Sequence, residues 1–141
     1  MQIRCRRVSR GVAEGPALVS SEPISFFGMV DPKSGIIQDR RHGLYGQTVA
    51  GKVLVFPHGK GSTVGSYVIY QLAVGKRAPL AMVCKEAEPI VAVGAIMAGI
   101  PMVDRPESFD FTTGEWLTVD ADRELIEKRP FRSLINCPQD R

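Results

Sequence analysis

One short run of the sequence gathers the residue types that proton chemistry needs. His58-Gly59-Lys60-Gly61-Ser62-Thr63 places a hydroxyl, a mobile cation and two glycines within a few residues. Behind it, Val53-Leu54-Val55-Phe56 is a continuous apolar run, as expected for a strand covered on both faces. Pro57 stops that run. Ahead, Val64, Val68 and Leu72 fall at helical spacing, with Tyr67 and Gln71 beside them, and Gly75 closes the helix. Ser62 or Thr63 stands where an N-cap belongs. A strand–turn–helix unit of this kind aims backbone N–H groups, and the positive end of the helix dipole, at one point. Gly59 and Gly61 let that backbone approach a ligand closely. An anionic substrate or a developing oxyanion would be held there, with Gly61 and Thr63 donating N–H groups and Lys60 adding positive charge. Ser62 would stand in the same field, which favours the alkoxide that a serine base requires. The plainer reading is that Ser62 only caps the helix and Lys60 faces water. The local pattern does not separate the two.

Other motifs are weaker. Gly59-x-Gly61-x-x-x-Gly65 loosely matches a dinucleotide fingerprint, with Glu86 as the ribose-binding acid, but only one such unit fits in the chain. Gly46 to Lys52 has the glycine–lysine spacing of a phosphate loop, yet Val53 replaces the required hydroxyl and a strand follows. Ser25, Arg40 and His42 lie in polar loops that are able to line a cleft. Cys5, Cys84 and Cys137 are isolated, which gives neither a disulfide framework nor a local metal clip. Met82, Met97 and Met102 read as core or its margin.

The elements that must position the loop form an α/β chain. The first part is β-rich: Gln2–Val8 partly alternates, and Gly15-Pro16 marks a turn before Ala17–Val19. Ser25 to Gly35 is an ordered loop, Ile36-Ile37 a short strand, and Asp39–Gly43 polar and exposed. After the loop and its helix, Leu80–Cys84 is a second buried strand. Pro89 opens a helix through Met97, ended by Gly99, and its apolar surface nearly all round predicts burial. Trp116–Val119 reads as the final strand, and 120–141 as a charged extension of the same domain. The result is a strand–helix–strand–helix–strand unit, parallel in its βαβ portion, built onto an antiparallel portion.

With 141 residues, 44% hydrophobic and 23% charged, the chain suits one globular domain with a real core. No segment approaches the ~20 apolar residues of a membrane helix, and the basic N-terminus lacks the apolar stretch of a secretory signal. A cytoplasmic location is expected. A net charge of +3, scattered rather than striped, argues against nucleic acid.

At this point a family resemblance enters. Glu22-Pro23-Ile24-Ser25-Phe26-Phe27-Gly28, Val30-Asp31-Pro32, Gly51–Pro57, Gly59–Tyr67, Glu88–Ala95 and Ala98–Pro101 resemble the small, swivel-domain subunit of the aconitase X family. Within that family the resemblance is to the archaeal branch that dehydrates (R)-5-phosphomevalonate. Gly59-Lys60-Gly61-Ser62-Thr63 is also similar to the Gly-Arg-Gly-Ser-Ser loop in the swivelling domain of aconitases. The resemblance implies a swivelling β/β/α domain over residues 1–119. It implies a larger partner subunit, in a heterodimer or a dimer of heterodimers, that holds a [4Fe–4S] cluster; no metal is expected on this chain. Ser62 would remove the proton next to the substrate carboxylate, giving trans-anhydromevalonate 5-phosphate on an isoprenoid route. Lys60, Gly61, Thr63 and Ser25 would contact substrate. A cis-3-hydroxy-L-proline dehydratase subunit and a non-catalytic binding module of the same fold are the alternatives.

Overall fold

The computed structural model describes residues 1–129. Cys137 and most of the charged tail lie outside the described residues. Eight strands and two regular helices follow one another as β1 (Gln2–Arg4), β2 (Arg6–Ser9), β3 (Val12–Val19), β4 (Val53–Phe56), α2 (Gly65–Val74), β5 (Ala81–Cys84), α3 (Pro89–Ala98), β6 (Met102–Asp104), β7 (Trp116–Asp120) and β8 (Leu125–Arg129). A single kinked turn, α1 (Phe26–Met29), precedes β4, with Gly28 at φ 94°.

The strand order is β1-β8-β7-β3-β4-β5-β6-β2. β3 to β6 pair in parallel, and every other pairing is antiparallel. Alternation within β4 and β5 divides the interior in two. Leu54, Phe56, Met82 and Cys84 join Val68, Ile69, Leu72, Val91 and Ala95 beneath the helices. Val53, Val55, Ala81 and Val83 instead pack with Ile3, Leu117, Val119 and Ile126 of the antiparallel strands. The antiparallel portion therefore curls over the second face of the parallel one, giving three layers, β/β/α. Burying each of the larger side chains contributes roughly 1.5–3 kcal/mol.

β1 and β2 stand at opposite ends of the strand order, yet only Cys5 separates them in sequence. One stretch of chain thus seals both ends of the sheet, through Ile3 opposite Ile126 and Arg7 opposite Val103. At this join Arg6 grips the fully buried Asp104 through Nε and an Nη, each at 2.8 Å, and Asp104 also accepts the Ala87 N–H at 2.8 Å.

The parallel core strands, the close of α2 at Gly75 and the span of α3 from Pro89 to Gly99 follow the sequence reading. Several other expectations need correction. Gly15-Pro16 is no turn but lies inside β3. Ala17 N–H donates to Glu115 on the β7 side and Ser20 N–H to Val55 on the β4 side. Position 16 therefore faces β4 just before that ladder begins, where a missing N–H costs nothing. Trp116–Val119 is not the final strand, because β8 pairs on to it. Helix α3 is only half buried: Val91, Gly94 and Ala95 face inward, whereas Val93, Ile96 and Met97 are exposed.

Candidate functional site

The loop between β4 and α2 emerges from the carboxyl edge of the parallel strands, the customary place for ligands in such sheets. It is braced from both sides. The segment around Ile24 runs alongside it: Ile24 N–H donates to the His58 carbonyl at 3.2 Å, and Lys60 N–H to the Ile24 carbonyl at 3.1 Å. On the other flank a Cβ at Gly59 would meet Glu88 Oε1 at 2.6 Å and overlap Val91, so only glycine lets α3 pack here.

Beyond Lys60 the chain turns at Gly61, whose φ of 93° favours glycine, and a Cβ there would overlap Ser25 Oγ. Ser25 itself donates to the Phe27 carbonyl at 3.1 Å. Three tight bonds follow: Gly65 N–H to Ser62 O, Ser66 N–H to Thr63 O and Tyr67 N–H to Val64 O, at 2.9, 3.2 and 3.0 Å. They satisfy the first helical amides by turning inward. Neither Ser62 nor Thr63 is the N-cap, correcting the sequence expectation. Val64 occupies that place, and no side chain caps the helix. Ser62 Oγ, exposed, accepts the Val64 N–H at 3.1 Å. Among the described residues the N–H groups of Gly61, Ser62 and Thr63 have no acceptor. Three successive amides left free beside an exposed hydroxyl are donors available to an anion.

The structure thus brings Ser25, Lys60, Gly61, Ser62 and Thr63 into one place. Arg40 stays exposed on the neighbouring loop and is not among the residues lining the cavity beside Lys60. His42 departs further from expectation. Asp39–Gly43 reads as exposed, but His42 is buried, its Nδ1 accepting the Leu44 N–H at 3.1 Å and its Nε2 lying 3.3 Å from Ser20 Oγ. The hydrogen-bond pattern assigns the proton to Nε2. Sequence reasoning missed Arg41, which lines a cavity of about 320 Å³ together with Lys60, Glu22, Asp39 and His42. It also missed Glu88, whose carboxylate caps α3; a proline at the first helical position, Pro89, was the signal for it.

Glu86 is engaged with Arg105 through bonds of 3.1 and 2.9 Å, a pairing that holds its carboxyl below the usual range. The dinucleotide reading loses its ribose-binding acid. An iron–sulfur cluster finds no ligand set among the described residues. Cys5 lies at the margin of one core and Cys84 inside the other. Burial pushes the Cys5 thiol up to about 12 and Cys84 well above its ordinary value.

Comparison with known proteins agrees with this architecture. A family model described as the aconitase X swivel domain matches residues 2–128. The phosphomevalonate dehydratase small subunit of Methanothrix thermoacetophila is 59% identical over 128 residues, covering 89% of this chain and 93% of that protein. The protein of the same name from Methanothermobacter thermautotrophicus is 60% identical over 106 residues, covering 75% and 81%. The crystal structure of Thermococcus kodakaraensis aconitase X, in its holo form, superposes with a TM-score of 0.88 at 49% identity, over 91% of this chain and 98% of that one.

Proposed function

Because the chain belongs to the aconitase X swivel-domain family, we propose that it is the small subunit of a dehydratase acting on (R)-5-phosphomevalonate, working only together with a larger subunit. The observation that carries the chemistry is the group of unpaired Gly61, Ser62 and Thr63 amides beside the exposed Ser62 hydroxyl. The relatives' shared name supplies the substrate.

In this reading Ser62 takes the proton from the carbon next to the substrate carboxylate. The Val64 N–H donated to Ser62 Oγ, and the positive end of α2, stabilise the alkoxide that does so. As the proton leaves, negative charge moves onto the carboxylate oxygens. The Gly61, Ser62 and Thr63 amides are set to receive it without reorganising, which is where preorganised donors contribute most. Lys60 adds its charge, and Ser25, packed against Gly61, contacts the substrate from the other side of the turn.

Membership of the aconitase X family points to an iron–sulfur enzyme. With no fitting ligand set among the described residues, we assign the cluster, and assistance to the departing hydroxyl, to the larger subunit. Exposed Val93, Ile96 and Met97 on α3, with Tyr67, Tyr70 and Val74 on α2, suit a chain that works in an assembly. No helix among the described residues is long and apolar enough to cross a membrane. We read residues 1–119, completed by β8, as the swivel domain, and the rest of 120–141 as its extension, in a cytoplasmic enzyme.

The deciding experiment is anaerobic co-expression with the larger subunit, followed by an assay of (R)-5-phosphomevalonate dehydration. Turnover supports the reading. An assembled, cluster-loaded complex that ignores this substrate and dehydrates cis-3-hydroxy-L-proline would overturn it.

A further inference from the structure

We infer that Arg41 and Lys60 form the two cationic walls of a phosphate subsite, in which this chain itself distinguishes a phosphorylated hydroxy acid from its unphosphorylated form. The inference rests on the function proposed above and deepens it.

Arg41 and Lys60 face one cavity of about 320 Å³, whose other linings are Glu22, Pro23, Met29, Asp39 and His42. Neither cation has an ion-pair partner among the described residues. The two carboxylates of the cavity are tied into its frame instead. Glu22 Oε1 accepts the Gly43 N–H at 2.8 Å, and Asp39 Oδ1 the Arg41 N–H at 3.0 Å. With both cations present the cavity is balanced in charge; with either removed it is net negative and repels an anion. Recognition by such a site depends steeply on each cation.

The position of Arg41 is fixed from below. Buried His42 donates from Nε2 to Ser20 Oγ, 3.3 Å away, and Ser20 Oγ donates to the Glu22 carbonyl at 2.7 Å. The Glu22 N–H returns to Ser20 Oγ at 3.1 Å. This latch joins the Arg41 loop to the Ile24 segment, and Ile24 in turn holds Lys60. A guanidinium presented on so braced a loop suits the bidentate geometry of phosphate.

Lys60 also ties this cavity to the serine by sequence. Lys60 and Ser62 are two residues apart, so their Cα atoms are separated by at most about 7 Å. In the proposed substrate the carbon that loses its proton is joined to the phosphate by a short run of carbons and one oxygen, a comparable length. The carboxylate then meets the Gly61–Thr63 amides while the phosphate reaches Lys60 and Arg41.

The test uses the assembled complex, wild type and Arg41→Gln, with kcat/KM measured for (R)-5-phosphomevalonate and for mevalonate. The expected result is a fall of at least about tenfold in the preference for the phosphorylated substrate, partly restored in Arg41→Lys. A preserved preference, even with both activities lowered, would show only a structural role and overturn the inference. If the wild-type complex turns over phosphomevalonate and Arg41→Gln keeps its preference, only the subsite fails. If the wild type does not turn it over at all, the functional reading fails with it.

Discussion

Helices α2 and α3 both start where a parallel strand ends, one after β4 and the other after β5, and their first turns are built in opposite ways. At α3, Pro89 opens the helix and the Glu88 carboxylate receives the Ile90 and Val91 N–H groups at 3.0 and 2.9 Å. A carboxylate there satisfies the free donors and offsets the positive end of the dipole. At α2 no side chain caps the helix; Ser62 Oγ takes only the Val64 N–H, and the Gly61, Ser62 and Thr63 amides ahead of it have no acceptor among the described residues. The same supersecondary unit is sealed by a carboxylate in one copy and left polarised in the other, as the proposed serine chemistry requires. The two starts also touch, because Glu88 packs against Gly59. The sealed helix end braces the open one.

That contrast is testable by removing or exchanging its parts. The largest expected effect is from Ser62→Ala in the assembled enzyme: kcat should fall by about 10²–10⁴-fold, with the thermal midpoint of the isolated chain nearly unchanged, since the side chain is exposed. Activity within tenfold of wild type would mean that the open helix start carries no base. Next comes Glu88→Ala, which should lower stability by about 1–2 kcal/mol, read from urea unfolding, with a smaller loss of turnover. Should turnover collapse while stability holds, the division of labour between the two helix starts is wrong. The smallest effect is from Val64→Asp, which gives α2 an acidic start like that of α3. It should raise stability by about 0.3–1 kcal/mol and slow turnover by about two- to fivefold, since the dipole term is of that size. Faster turnover would contradict the role given to the field at this end.

The unequal treatment of the two helix starts was only partly legible in the sequence. Apolar runs marked β4 and β5, and Pro89, Gly75 and Gly99 marked helix limits, because those signals are local. The serine and its glycine turn were visible for the same reason. The cap geometry at Ser62 was not, since inward turning of the first amides depends on how Val64 enters the helix. Pro16 misled because a central strand tolerates proline only where its ladder changes partner, a fact of pairing. His42 and Arg41 sit in a run that looks solvated. Only the fold brings Ser20 and Glu22 alongside to bury one and present the other. The exposed side of α3 was hidden too, because an all-apolar helix does not reveal which face the domain itself covers.

The strand that seals both ends of the sheet has a consequence for how the chain is made. During synthesis residues 2–9 are translated long before either partner: Arg6 waits for Asp104, 98 residues on, and Gln2 for Glu127, 125 residues on. Until then two strands' worth of backbone donors and acceptors stay unsatisfied, and pairings this remote in sequence form slowly. β2 therefore stays an open edge until β6 has been made, and β1 until β8 has, and an unpaired edge of this kind is adhesive for as long as it lasts.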